Sequence, residues 1–378
     1  MSRVPGISLR RPFRTIRPSG RAALVGLALY ACDAERDLDR AAPAAEVESV
    51  VLEPGALAGR FPPRPHDVES DTIIEGALGM ALGDGSLLVL DQLASRALRF
   101  DLDGRLLARI GGPGSGPGEL SNPFALSLGP DGDVWIADPG AGRLSRYAPD
   151  GAALGDRRMP YPVINFAVLE RGPVFPTLNA MTLLGFADPG GALVELGIAE
   201  ALVPGRISRG PGDRVAPHVL RLVRLADGDV ALLQNRHGTD FALWRVRFSP
   251  DGRSIDDVRP LPLPGWLATM LARETERVRE EAPAEFATGD FLIPFKGMHA
   301  DGKRLWLAPA TSASALVVSV PLAPDEPVRV VVADEDVYGG AIDAAVAGDR
   351  LVVLYPTEVR VYDLVPAAAS RFQPRGRR

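Results

Sequence analysis

The chain has 378 residues, 42 basic and 48 acidic side chains, and a single cysteine. One cysteine excludes an intramolecular disulfide and any zinc or iron–sulfur site built from several cysteines. Glycine and proline number 40 and 35, about a fifth of the chain, compared with ~12% in average proteins. This composition predicts many turns and few long helices, in two or three domains or in one large all-β domain.

The first 31 residues have the order of parts of a secretory signal peptide. Six arginines and no acidic residue come before or beside an apolar run from Ala22 to Ala31, which Cys32 follows. The run is short compared with the ~20 residues that cross a bilayer, so we predict a cleaved leader over residues 1–31. Leu29-Tyr30-Ala31-Cys32 resembles the bacterial lipobox, whose cysteine becomes lipidated. The alternative for Cys32 is a small buried thiol.

Arg10-Arg11 in the leader also resembles a twin-arginine export signal, so two export routes stay open. Without the leader the chain has 36 basic and 48 acidic residues, a net charge of −12. Binding to a phosphate backbone needs a basic face, and after the leader only the tail contains a concentrated basic run. We therefore predict no nucleic-acid partner, and an exported protein that is attached to a membrane by a lipid anchor only, in the periplasm or at the cell surface.

A repeat organises the rest of the chain. The stretch from Ser86 to Gly104 recurs 47 residues later, from Asp133 to Gly151. Further copies begin at positions 229, 304 and 350, and a weaker one covers 163–198, which makes six units. Each unit alternates short apolar runs with turns, mostly Asp-Gly or Pro-Asp-Gly, a pattern typical of antiparallel hairpins.

A period of ~45–50 residues with about four strands is the spacing of propeller blades. We predict an all-β, six-bladed β-propeller of four-stranded antiparallel blades over residues 47–365. A linker over 32–46 precedes it and a flexible tail over 366–378 follows it. Two β-sandwiches are the competing architecture, but they do not explain the constant offset. Val50-Val51-Leu52 is predicted to pair into the last blade and close the ring.

One part of the repeat resembles a known family. Phe100-Asp101-Leu102-Asp103-Gly104, the following glycine-rich loop and Pro130-Asp131-Gly132-Asp133-Val134-Trp135 resemble an NHL-type repeat. The resemblance covers residues 72–155 and extends to 217–252 and 293–363. It implies the six-bladed bacterial propellers, many of which are lipoproteins without an assigned activity. Six-bladed lyases and lactonases of this shape use histidines and carboxylates at the channel mouth, often with bound calcium or zinc.

The predicted topology places several polar residues at one end of the ring, which we call the mouth face. In a four-stranded meander the first strand begins where the second strand ends, so residues at these two places share that face. Counting back from each turn, aligning the last two units, and reading the ends of the second strands give one set. Its members are Glu75, Asn122, His218, Lys296, Tyr338, Asp91, Asp138 and His237.

We predict that the mouth face binds a ligand, which is a small molecule, a glycan or a protein, without a cofactor. The alternative is a metal-assisted lyase or hydrolase, in which His218 with Glu75 abstracts a proton. Calcium would draw its oxygen ligands from Glu75, Asp91, Asn122 and Asp138, and zinc is a second possibility. Aspartates such as Asp91 also have a structural role, because they cap turns. The signatures Gly-x-Ser-x-Gly and His-Glu-x-x-His do not occur.

Two further segments have distinct patterns. The glycine-rich run from Gly111 to Gly118 is predicted to be an inter-blade turn, because two prolines remove amide donors that a phosphate loop needs. The insertion over 264–290, between units 4 and 5, predicts an amphipathic helix with Trp266 and Met270 on its apolar face. We expect this helix to cover the mouth, and a partner-binding helix is the alternative.

Overall fold

The computed structural model describes residues 49–62, 73–83, 85–176, 184–187, 193–196, 218–235, 241–281, 295–309, 315–323, 326–333, 337 and 340–367. Within this part of the chain, four sheets consist of four consecutive antiparallel strands each, and we call them units 1 to 4. Unit 1 contains β2 (Ala77–Gly83), β3 (Ser86–Asp91), β4 (Arg96–Asp101) and β5 (Leu106–Gly111). Unit 2 contains β6 (Ala125–Leu128), β7 (Val134–Asp138), β8 (Arg143–Tyr147) and β9 (Ala153–Arg158). Unit 3 contains β10 (Ala167–Leu169), β11 (Gly172–Phe175), β12 (Leu184–Ala187) and β13 (Leu193–Leu196), and unit 4 contains β14 (His218–Arg224), β15 (Val230–Asn235), β16 (Phe241–Phe248) and β17 (Ile255–Leu261).

The fifth sheet has eight strands and combines two more groups of four. Unit 5 contains β18 (Phe295–Ala300), β19 (Arg304–Pro309), β20 (Ala315–Pro321) and β21 (Val328–Ala333). Unit 6 contains β22 (Asp343–Ala347), β23 (Arg350–Leu354), β24 (Val359–Pro366) and the first strand of the chain, β1 (Ser49–Phe61). Strand β1 lies between β21 and β24 and thereby joins the two units.

The long strand β1 pairs with two neighbours in different ways. Its first residues, Ser49–Leu52, run parallel to β21 of unit 5, whereas Leu52–Phe61 run antiparallel to β24. The sequence predicts that Val50-Val51-Leu52 pairs into the last unit. In the structure Leu52 pairs with Pro366 of β24, as the later part of the strand does, whereas Val50 and Val51 pair with β21. This continuation is not visible in the sequence pattern, because Pro54 and Gly55 are residues that strands rarely contain.

The first strands of the six units contact one another in cyclic order. Strands β2, β6, β10, β14, β18 and β22 form this series, and β22 returns to contact β2. A closed arrangement leaves each first strand between two others of the same kind. Closure of this type removes the exposed sheet edges that a flat array would have.

Apolar side chains fill the seams between successive units. Each of six buried clusters contains side chains from two neighbouring units, including one that joins unit 6 to unit 1. The uninterrupted apolar sequence of β3 is explained by its position between two seams. Leu87 and Val89 face unit 6, while Leu88 and Leu90 face unit 2, so both faces of the strand are buried.

The helix α1 (Gly265–Glu281) follows β17 and lies at the seam between units 4 and 5. Leu267 and Leu271 are fully buried there, and Trp266 and Met270 pack partly buried against the same cluster. The helix contacts β16, the third strand of unit 4. Its position over the channel mouth stays a prediction. Nowhere in the described residues is there a helix with the length and hydrophobicity of a membrane span.

Candidate functional site

Two buried aspartates at the mouth face hold backbone amides. Both oxygens of Asp91 accept from the amide of Glu75, at 3.1 and 3.2 Å, and one of them accepts from Gly76 at 2.8 Å. The carboxylate of Asp138 accepts from the amides of Ser121 and Asn122, each at 2.8 Å. Each aspartate therefore fastens the segment before the first strand of its unit to the end of the second strand.

Glu75 and Asn122 lie at this face with exposed side chains. Asn122 Oδ1 accepts a hydrogen bond from Gln92 Nε2 at 3.3 Å, which connects units 1 and 2 at the surface. The carboxylates of Asp91 and Asp138 lie beneath them and are fully buried. Calcium binding by these four residues stays a prediction. The two buried aspartates already accept several amide hydrogens, and these bonds use lone pairs that a calcium ion would need.

Lys296 and His218 begin their strands at the same end of the ring. Lys296 is the second residue of β18, and His218 is the first residue of β14, where its backbone pairs with Asn235 at the end of β15. The other predicted residues at this face, Tyr338 and His237, lie outside the described residues, as does Cys32.

A buried histidine–carboxylate pair joins the first strands of units 5 and 6. His299 Nε2 lies 3.0 Å from Asp343 Oδ1, and both residues are buried. The same Oδ1 accepts from the amide of Ala344 at 2.7 Å. Gly297 makes room for the pair, because a Cβ at that position would collide with Asp343 Oδ1 and lie 2.7 Å from His299 Nε2.

Two cationic side chains lie next to this pair. Arg221, on β14 of unit 4, donates from Nη2 to the carbonyl oxygen of Lys296 at 3.4 Å. The negative charge of Asp343 acts on both Arg221 and Lys296. We name Arg221, Lys296, His299 and Asp343 the charged cluster.

Burial is the main influence on the two cations. It lowers the pKa of the Lys296 ammonium below its ordinary value, and the charge of Asp343 partly opposes this. The pKa of the Arg221 guanidinium is lowered for the same reason, with the same opposing contribution. A cation in this setting favours an anion that replaces the water it has lost.

The charged cluster includes three residues that the predicted set lacks, Arg221, His299 and Asp343. Asp343 opens the otherwise apolar run Asp343–Ala347, and a charge within a first strand was the available signal. Counting back from the turns did not select Asp343, because the counted position in unit 6 is Tyr338, which precedes the first strand.

The glycine-rich segment between units 1 and 2 is a folded turn. The amide of Gly116 donates to Glu119 Oε2 at 2.7 Å, and Arg143 donates to the carbonyl oxygens of Gly116 and Glu119. Tyr147, which is fully buried, donates its hydroxyl hydrogen to the carbonyl oxygen of Gly118 at 3.3 Å. These contacts agree with the predicted inter-blade turn.

An open cleft lies at the end of units 4 and 5 that is opposite the mouth face. It has a volume of about 310 Å³ and lies beside the turn that contains Asp227 and the turn that contains Lys303. Arg245 at its wall pairs with Asp227 and with Asp229. The guanidinium of Arg245 thus has two carboxylate partners, in contrast to that of Arg221. Across the described part of the chain, no group of three or more His, Cys, Asp or Glu side chains is arranged to hold a metal ion.

Comparisons with known proteins define the fold more than the function. No family model matches the chain, and no curated protein matches its sequence. A solved structure of a candidate exported protein from Bacteroides fragilis matches with a TM-score of 0.52 at 12% identity, over 85% of this chain and 99% of that one. A streptogramin B lyase structure matches with a TM-score of 0.44 at 12% identity, over 77% of this chain and 94% of that one. The gluconolactonase XC5397 of Xanthomonas campestris matches with a TM-score of 0.44 at 14% identity, over 76% and 86%.

At such identities only the fold is shared. The chain is all-β and strand-rich, with a propeller-like arrangement of its strands, and this part of the sequence prediction is confirmed.

Proposed function

We propose that this protein is an exported, lipid-anchored, six-bladed β-propeller that binds a ligand at its mouth face. The charged cluster carries this proposal. The side chains of His299 and Asp343 are in contact there, Arg221 donates to the backbone of Lys296, and the charge of Asp343 acts on both cations. Apolar side chains would fill the same space at a lower cost in desolvation. Such a cluster is consistent with recognition of a ligand.

The topology supports six blades. Each of the six units has four strands, apolar seams lie between all neighbouring units, and the contacts of the first strands return from unit 6 to unit 1. In a propeller these first strands surround the central channel. Arg221, Lys296, His299 and Asp343 all belong to first strands, so we place the charged cluster at the channel.

The membrane anchor rests on the sequence alone. Cys32 follows an arginine-rich and then apolar leader, and a lipid on this cysteine would hold the mature chain at a membrane surface. Cells that express the full chain and receive labelled palmitate should produce a labelled protein. The Cys32→Ser variant should lose both the label and membrane partitioning, and unchanged partitioning would refute the anchor.

Ligand binding can be tested with the two lysines of one hairpin. Lys296 lies at the mouth end of the β18–β19 hairpin, and Lys303 lies in the exposed turn at its other end. We would screen a chemically varied fragment library against the full chain by ligand-observed NMR. Fragments that bind at the mouth should lose most of their signal with Lys296→Ala and keep it with Lys303→Ala.

Two other outcomes would change the proposal. If the hits respond equally to both substitutions, or no fragment binds, the mouth face is not a ligand site. If the hits bind only with added calcium or zinc and are turned over, the metal-assisted lyase or hydrolase replaces the binding function.

A further inference from the structure

We propose that the ligand of the mouth face carries a carboxylate group on an apolar body, and that Arg221 receives the carboxylate. This inference rests on the proposed binding function and specifies the chemistry of its ligand. Three observations support it: the incomplete pairing of Arg221, the commitment of Asp343 to other partners, and apolar side chains on the other half of the mouth.

Arg221 has few partners for a cation in its position. The Nη2 contact to the carbonyl oxygen of Lys296, at 3.4 Å, is long for a hydrogen bond. Its Nε atom is shielded from solvent and has no hydrogen-bond partner among the described residues. A guanidinium presents planar donors that match a carboxylate, so a ligand of this type would supply the missing acceptor.

The neighbouring carboxylate does not fill this role. Asp343 Oδ1 already contacts His299 Nε2 and the amide of Ala344, and the aspartate influences Arg221 through its charge rather than through a hydrogen bond. The described residues of the charged cluster then comprise two cations, one carboxylate and one histidine. Their balance favours an incoming anion.

The opposite half of the mouth exposes apolar groups. Leu93 is 73% exposed, Phe124 is 41% exposed and Ile164 is 40% exposed. Leu93 packs on Gly76 beside the start of β2, while Phe124 and Ile164 precede β6 and β10. These side chains belong to units 1 to 3, across the ring from units 4 to 6. A ligand that spans the mouth would place its carboxylate on Arg221 and its apolar body against this half.

The test compares pairs of small molecules that differ in charge. Acetate, benzoate and decanoate would each be titrated against the full chain beside the neutral amide of the same skeleton. We expect the carboxylate to bind at least about tenfold more tightly than its amide for benzoate or decanoate, a difference of about 1.4 kcal/mol. The Arg221→Gln variant should abolish this preference.

Arg224 provides a matched control. It lies on the same strand, is partly buried, and its Nε also has no hydrogen-bond partner among the described residues. Arg224→Gln should keep the preference for the carboxylate. Circular dichroism would verify that both variants fold, and if Arg221→Gln does not, Arg221→Lys should weaken the preference about threefold by removing the planar donors.

The results separate this inference from the proposed function. Equal binding of acids and amides at the mouth, or a preference that survives in Arg221→Gln, would overturn the carboxylate assignment while leaving a binding site. Inorganic phosphate that displaces the fragments as well as benzoate does would also overturn it, in favour of a general anion site. If fragments of every kind fail to respond to Lys296→Ala, the binding function itself fails.

Discussion

Two halves of the mouth face use aspartate for different purposes. In units 1 and 2, Asp91 and Asp138 end the second strands and accept hydrogen bonds from backbone amides. In units 5 and 6 the buried aspartate is Asp343, which opens a first strand and pairs with His299. The second strands of units 3 to 6 end instead in Phe175, Asn235, Pro309 and Leu354.

Burial of a carboxylate is therefore not by itself a sign of function. Asp91 and Asp138 are the more deeply buried, yet their hydrogen bonds hold the fold together. Asp343 contacts a titratable side chain and lies near two cations that compete for its charge. Asp91 also pairs with Arg96 at 3.3 Å, so the contrast is the contact of Asp343 with a histidine across the seam between two units, the arrangement that the proposed binding function uses.

The largest expected effect comes from removing a structural aspartate. Asp138→Ala leaves the amides of Ser121 and Asn122 without their acceptor and weakens the turn at Ala141, so we expect a loss of about 3 kcal/mol in the free energy of unfolding. Urea denaturation measures it. Asp150→Ala removes an exposed aspartate with one amide contact and should cost less than about 1 kcal/mol. Equal losses in the two variants would contradict the structural role.

Gly297 tests the packing around the histidine–carboxylate pair of units 5 and 6. Gly297→Ala places a methyl group against Asp343 and His299, and the strain should lower the free energy of unfolding by about 2 kcal/mol. Gly79 follows the corresponding irregularity in β2, and a Cβ there meets no atom within 4 Å. Gly79→Ala should change stability by less than about 0.5 kcal/mol. If the two alanines cost the same, the tight packing around the histidine–carboxylate pair is wrong.

The pH dependence of the free energy of unfolding tests the burial of Tyr147 in unit 2. Burial raises the pKa of its hydroxyl to about 12, from an ordinary value near 10. The stabilisation from this group is complete below the unfolded pKa and is lost as the pH rises from about 10 through 12, because the unfolded state ionises first. Tyr147→Phe should cost about 1 kcal/mol at neutral pH, through the lost contact to Gly118, and lack this alkaline loss. Denaturation curves across that range measure both effects, and identical alkaline slopes in the two proteins would oppose the assignment.

The smallest expected effect concerns Lys296 in the charged cluster. Its pKa is lowered by burial, so the unfolded state binds the proton more tightly, and the contribution of this group to stability improves as the pH rises toward the ordinary lysine pKa. Lys296→Met removes the charge, and the variant should be slightly more stable than the wild type at neutral pH, with the difference shrinking at alkaline pH. Lys303→Met, at the exposed end of the hairpin, should show no such trend. A difference that grows with pH would contradict the burial of Lys296.

Several features were predictable from the sequence because they depend on local patterns. The second strands are continuous apolar runs between turn residues, as in Leu87–Leu90, since both of their faces are buried. The ends of β3 and β7 lie where β2 and β6 begin, as the antiparallel alternation predicts. The amphipathic pattern of the insertion, with Trp266 and Met270 on the apolar face, predicts a helix, and α1 occupies this segment with both residues packed partly buried against the seam.

Other features were not predictable from those patterns. The pairing of His299 with Asp343 joins residues 44 positions apart in two different units, and no periodicity signals a contact across a seam. The same limit applies to Arg221, whose nearest partner is the carbonyl oxygen of Lys296 in the next unit.

The repeat and the all-β class follow from the sequence, because strand alternation and turn chemistry are local. Which buried polar groups serve the fold and which form the charged cluster depends on contacts between units, and these exist only in the tertiary structure. The physical reason is that a buried charge takes its role from the groups that replace its water. For Asp138 these are backbone amides of its own unit, and for Asp343 they include a side chain of the neighbouring unit.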